Sequence, residues 1–173
     1  MTVMVPKENL ANKGNSLFVW GAQIRRNSSM SLFNSIILGY PNGLFIDATK
    51  GVSTDNNITS GSLLVQNTII AGSPSPVLYS NTGNVITAST TATVTAWFNT
   101  AAYANSIVTT NAEVGLTAAF NYTAPDFNPT ANSIAVAGAK FDNAKLASGF
   151  TNVTYKGACA AGDTWWKTWT KFN

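Results

Sequence analysis

Seven side chains hold all the carboxylate chemistry open to this sequence: Glu8, Asp47, Asp55, Glu113, Asp126, Asp142 and Asp163. A glycosidase sets two carboxylates face to face across a sugar, and the spacing here selects no such pair. Asp47 closes the apolar run Leu44-Phe45-Ile46, but Ser80 holds the matching place one repeat later, so no acidic column builds up. Asp126 and Asp142 stand beside turns, where Asp usually bonds neighbouring backbone. Asp55-Asn56-Asn57 offers oxygen ligands but lacks the alternating Asp and the glycine of a calcium loop, so a turn is expected. A polysaccharide lyase needs a Lys or Arg base beside an acidic cluster, and Arg25-Arg26 is the one adjacent basic pair. Successive strand residues point to opposite faces, so at most one of them joins a given site. A solvated strand edge that discourages pairing is the simpler role for Arg25 or Arg26.

Histidine is absent, which removes His-based triads, His-ligated zinc and His general bases. Cys159 is the single cysteine, between Ala158 and Ala160. No disulfide can form within the chain, and a thiol with no histidine to activate it reads as small buried packing. Phosphate loops, dinucleotide-binding glycines and nucleophile elbows do not occur. The expectation is a protein that is not an enzyme, with no catalytic residue, metal or cofactor. The aromatics offer one binding reading, that of rings stacking on sugars. Tyr40 precedes Pro41 in a turn and is expected to be exposed; with Trp97 it forms the candidate glycan-binding pair. A flat threonine array would need matched threonines in several repeats, and only Thr87 to Thr95 is rich in them.

Short β-type runs must position these residues. Leu17 to Trp20, Leu32 to Leu38, Leu44 to Asp47, Leu63 to Ile70 and Val77 to Tyr79 are separated by Pro41-Asn42-Gly43, Asn56-Asn57 and Pro74-Ser75-Pro76. Asn34-Ser35-Ile36-Ile37-Leu38-Gly39 matches Asn67-Thr68-Ile69-Ile70-Ala71-Gly72 at an offset of 33, and the same offset carries Leu44 to Asp47 onto Val77 to Ser80. Asn132-Ser133-Ile134-Ala135 is a candidate third copy. Repeats of this kind stack like on like, and parallel strands then bond about 4.8 Å apart. Asn34 and Asn67 would form an amide ladder at one turn. Thr90 to Thr95 reads as a strand, Ala96 to Ala104 as a short helix with Trp97, Ala101 and Ala104 on one face, and Leu116 to Phe127 as loop.

Phe127-Asn128-Pro129 leading to Gly138-Ala139, then Tyr155-Lys156-Gly157-Ala158 and a tryptophan-rich close, resembles the C-terminal end of Bacteroidetes-type surface proteins with a right-handed parallel β-helix. Ile134 stands where that pattern has proline. The resemblance covers roughly residues 95–173, and more loosely 17–80. It implies an all-β fold, a right-handed parallel β-helix (solenoid) with a short inserted helix, and an exported setting; it carries no catalytic residue. One domain is expected over 1–173, with coils in 1–95, an inserted helix and loop in 96–126, and the last coil and cap in 127–173. Trp165, Trp166, Trp169 and Phe172 would cap the last coil. Few bulky apolar groups precede residue 17, so the chain reads as the C-terminal part of a longer protein, or as one whose first coil docks on another molecule.

Charged residues make up 10% of the 173 residues, against roughly 25% in typical domains. The net charge of +3 is spread without a dense cluster, so nucleic acid is not an expected partner. No apolar run is long enough to span a membrane as a helix. Surface polarity comes from Asn, Thr and Ser, which suits an extracellular or cell-surface protein. The expected function is a non-catalytic structural or adhesive module. Its expected partners are further copies, as a homo-oligomer or filament through the N-terminal coil. The alternative is a carbohydrate-binding module, or a remnant of a polysaccharide-active enzyme, with a glycan as partner.

Overall fold

The computed structural model describes residues 1–5, 17–81, 88–168, 170 and 171. Its strands and helices, in chain order, are β1 (Thr2–Met4), β2 (Trp20–Arg25), β3 (Leu32–Phe33), β4 (Ile36–Leu38), β5 (Asn42–Asp47), α1 (Asn56–Thr59), β6 (Val65–Gln66), β7 (Ile69–Ala71), β8 (Ser75–Ser80), α2 (Thr91–Phe98), β9 (Ser106–Val108), β10 (Leu116–Ala118) and β11 (Asp126–Pro129). They form sheets ordered β1-β4-β7-β9, β2-β5-β8 and β3-β6, all parallel, and an antiparallel pair β10-β11. The repeated segments pair in register, with Ile36 beside Ile69, Ile37 beside Ile70 and Leu44 beside Val77. The corners repeat as well: Asn34 and Asn67 both take left-handed backbone at φ 50° and 52°, followed by Gly39 at 73° and Gly72 at 62°. Asn and Gly tolerate that region best, which is why these types recur at one spacing.

The expected all-β right-handed parallel β-helix, running from the first residue to a tryptophan cap, is not what the chain forms. Strand makes up 27% and helix 14%, in several small sheets of both senses, and no closed or continuous coil is found among the described residues. The 33-residue rhythm ends at Ser80. Beyond it the chain enters α2, then a three-residue β9, then the antiparallel pair. After Pro129 the described residues contain no strand. The candidate third copy is a turn: Val136 N–H bonds Ser133 C=O at 3.2 Å. Sequence alone overlooked how many residues lie outside the repeat.

Both faces of β4 and β7 are buried, which explains their unbroken apolar runs. Ile37 and Ile70 face the main core with Leu44, Ile46, Val65 and Phe98. Ile36, Leu38, Ile69 and Ala71 face a second core with Val114 and Ala135 from the C-terminal half. Gly43 lets the start of β5 lie close against the main core: a Cβ there would lie 2.5 Å from Ile70 Cγ2 and 2.6 Å from Pro76 O.

The helix sits earlier than its apolar pattern indicates. Thr90 and Thr93 exchange side-chain and backbone bonds as a capping box, with Thr93 N–H on Thr90 Oγ1 at 3.1 Å and Thr90 N–H on Thr93 Oγ1 at 2.8 Å. That start converts a β-prone threonine run into a helix. Val94 and Phe98, four apart, are its buried stripe, and they cover the β7–β8 end of the main core.

The C-terminal segment folds back to the first strands. Asn34 and Lys140 exchange bonds, Nδ2 to C=O at 2.9 Å and N–H to Oδ1 at 3.0 Å. Gly157 N–H bonds Asn34 C=O at 2.8 Å, and Ala158 N–H bonds Thr2 Oγ1 at 3.0 Å. Lys145 Nζ donates to Ser31 Oγ at 2.9 Å and to Ser62 C=O.

Candidate functional site

Beside β1 lies a cleft of about 280 Å³, bounded by Met4, Phe18, Tyr40, Asn121, Tyr122 and Phe127 among others. Its outer wall is the loop between β10 and β11. Asn121 Oδ1 accepts from Thr123 N–H at 3.3 Å, Thr123 Oγ1 at 3.1 Å and Ala124 N–H at 3.2 Å, which shapes that loop. Asp126 Oδ1 accepts Asn128 N–H at 3.0 Å and starts β11. From Phe127 an aromatic row continues outward. Trp166 packs on Phe127 with ring centres 5.3 Å apart, and Trp165 meets Trp166 edge-on at 5.9 Å. Trp166 is buried, while Trp165 and Tyr122 are half exposed, at 50% and 49%. Exposed rings beside a small apolar cleft can stack on flat, partly apolar ligands.

Tyr40, expected to be exposed, is instead buried at 9%, and its hydroxyl donates to Met4 C=O at 3.2 Å. Burial pushes its phenol pKa up. It forms part of the cleft wall rather than a free platform. Trp97 is half-buried against the main core, edge-on to Tyr103 at 6.1 Å, and does not line this cleft. Its Nε1 is buried without a partner among the described residues. The expected Asn34–Asn67 ladder does not form: Asn34 binds Lys140, and Asn67 Oδ1 is buried with no partner among the described residues. Of the expected cap, Trp166 packs beside Phe127 and Trp165 lies next to it; Trp169 and Phe172 lie outside the described residues. Tyr122 and Phe127 were missed because nothing in their spacing links them to the tryptophans.

A second polar cluster lines the outer face of β2 and β5. Asp47 is 3% exposed and its carboxylate is fully engaged. It accepts Gln23 Nε2 at 2.7 Å, Thr49 N–H at 3.0 Å and Thr49 Oγ1 at 2.6 Å, and Arg25 Nε lies 3.3 Å away. Burial alone would raise its pKa. The bonds from Thr49 and Gln23, with the Arg25 charge, outweigh that and hold it below the usual carboxylate range. The register places Arg25 beside Asp47, so parallel pairing itself builds this ion pair.

Asp55, Glu113 and Asp163 serve local structure. Ser53 Oγ bonds Asp55 Oδ1, and Asp55 C=O accepts Ile58 and Thr59 N–H at the start of α1. Glu113 accepts Thr110 N–H at 2.6 Å and Thr110 Oγ1 at 2.8 Å, and these bonds lower its pKa. Asp163 Oδ2 accepts Ala160 N–H at 2.7 Å. Cys159 is buried, which pushes its thiol pKa up and away from the reactive thiolate. Among the described residues no group of three or more acidic, cysteine or histidine side chains could hold a metal ion. Nor is any described helix long and apolar enough to cross a membrane.

No family model matches the chain, no curated protein matches it, and no solved structure matches it.

Proposed function

We propose that this chain is a non-catalytic structural or adhesive module of an extracellular or cell-surface protein, able to associate with further copies of itself. One observation carries the reading. Asp47, Asp55, Glu113, Asp126 and Asp163 each accept hydrogen bonds that hold a strand pair, a helix start or a turn. Groups held this way supply structure rather than proton transfer, for which a general acid or base must reach the substrate. The charge-poor, Asn- and Thr-rich composition supports an exported setting. Light scattering at rising concentration tests the association; mass should climb, and a monomer at every concentration would remove that part.

A second reading, carbohydrate binding, is favoured by the half-exposed Tyr122 on the cleft and by Trp165, half exposed at the end of the ring row that runs from Phe127 through Trp166. On a glycan array, Trp165→Ala should weaken binding by about tenfold, as loss of one stacking ring predicts. Trp97→Ala should leave it unchanged. The reverse order would place the site elsewhere.

A further inference from the structure

We propose that the open edge of β2 is where a second copy of this chain docks, giving a closed two-fold pair rather than a filament. The inference deepens the self-association read above and rests on it.

The hydrogen-bond phase of the sheet fixes which groups face outward. Ala48 N–H bonds Ser80 C=O at 2.8 Å, so Leu44, Ile46 and Ala48 turn their backbone groups toward β8. Phe45 and Asp47 therefore turn theirs toward β2, where Ala22 and Ile24 receive them. Gln23, between these two, directs its N–H and C=O to the outer edge. Trp20 N–H points the same way, because Val19 C=O accepts Asn42 N–H at 3.0 Å from the other side. No described strand pairs with that edge.

Exposed edges are normally blunted by proline, by charge or by a covering helix. The other edge of this sheet has two of these devices. Pro76 lies within β8 and lacks an N–H, and Thr91 Oγ1 from α2 bonds both Tyr79 N–H and Tyr79 C=O at 3.2 Å. Of β2, the stretch Trp20-Gly21-Ala22-Gln23-Ile24 carries neither proline nor charge, and no described helix covers it. The strand's one charge, Arg25, stands at its end and is paired with Asp47 at 3.3 Å.

These facts choose the occupant. Head-to-tail stacking would need an open β8 on the next copy, and β8 is closed. Within this sheet the edge that remains is a second β2, which makes the contact isologous and self-limiting. Charge chooses the direction. A two-fold axis through Gln23 sets Arg25 opposite Gly21 of the second copy, whereas a parallel arrangement would set arginine beside arginine.

Sedimentation of the wild type should approach twice 18.2 kDa with rising concentration and go no further. Gln23→Pro removes only the outward N–H from the backbone, and Gln23→Ala removes the same side chain while keeping that N–H. Gln23→Pro should weaken pairing by at least about tenfold, and Gln23→Ala should not. Amide exchange at Gln23 in the wild type should slow as concentration rises, a reading that needs no variant. If Gln23→Pro pairs like the wild type, if exchange at Gln23 ignores concentration, or if mass passes two copies, the β2 edge is overturned while self-association stands. A monomer throughout overturns both.

Discussion

The parallel strands of the first half and the C-terminal segment that returns over them are held by different forces. In the first half, β4 and β7 bury apolar side chains on both faces, and the core is closed by Phe98, Leu63 and Val65, all without measurable exposure. The returning segment has no strand among the described residues after Pro129. Apart from the small Ala135 in the second core, its attachments are mostly polar, with bonds from Lys140, Lys145, Gly157 and Ala158, and a ring contact at Trp166. Burial of large apolar surface gives cooperative stability, while single hydrogen bonds add about 1 kcal/mol each. The first half should therefore set global stability, and the second should supply surfaces and local closure.

The largest effect should come from the core. Phe98→Ala removes a fully buried ring and is expected to cost about 3–5 kcal/mol in chemical denaturation. Trp166→Ala should cost less, no more than about 3 kcal/mol, because loops around it can collapse. Equal losses would break the distinction between the two regions.

Asp47→Asn comes next, at about 1–3 kcal/mol, because its new amide N–H would face the Gln23 and Arg25 donors. The folded carboxyl pKa lies below the unfolded one, so its contribution is complete above about pH 4 and fades as pH falls through the lower, folded value. The gap between wild type and variant, measured by urea titration, should narrow in acid. A gap independent of pH would mean that packing, not charge, holds β2 to β5.

Asn34→Gly should have the smallest effect. It keeps the left-handed corner at φ 50° but loses the bonds to Lys140. About 1–2 kcal/mol should be lost, with faster proteolysis in 130–158 and little change in the strands.

The sequence made the repeat legible, because Ile36-Ile37-Leu38 and Ile69-Ile70-Ala71 carry like residues at one spacing and then pair in register. It concealed α2, because threonine's strand preference hid a capping box made of Thr90 and Thr93. It also concealed the partner of Asn34, which lies 106 residues away at Lys140. An asparagine at a left-handed corner looks the same whether its amide meets its own repeat or a distant loop. The cleft beside β1 is half legible: the Tyr40-Pro41 turn suggests an exposure that Tyr40 does not have, while Tyr122 and Phe127 carry no periodic signal.

Residue-resolved amide exchange of the full chain bears most directly on the claim that the parallel strands are the rigid support. Amides of Ile37, Leu38, Ile70 and Ala71 should exchange slowest, with energies near that of global unfolding, and those in 136–158 should open well before them. Uniform protection, or a C-terminal segment that outlasts β4 and β7, would contradict it.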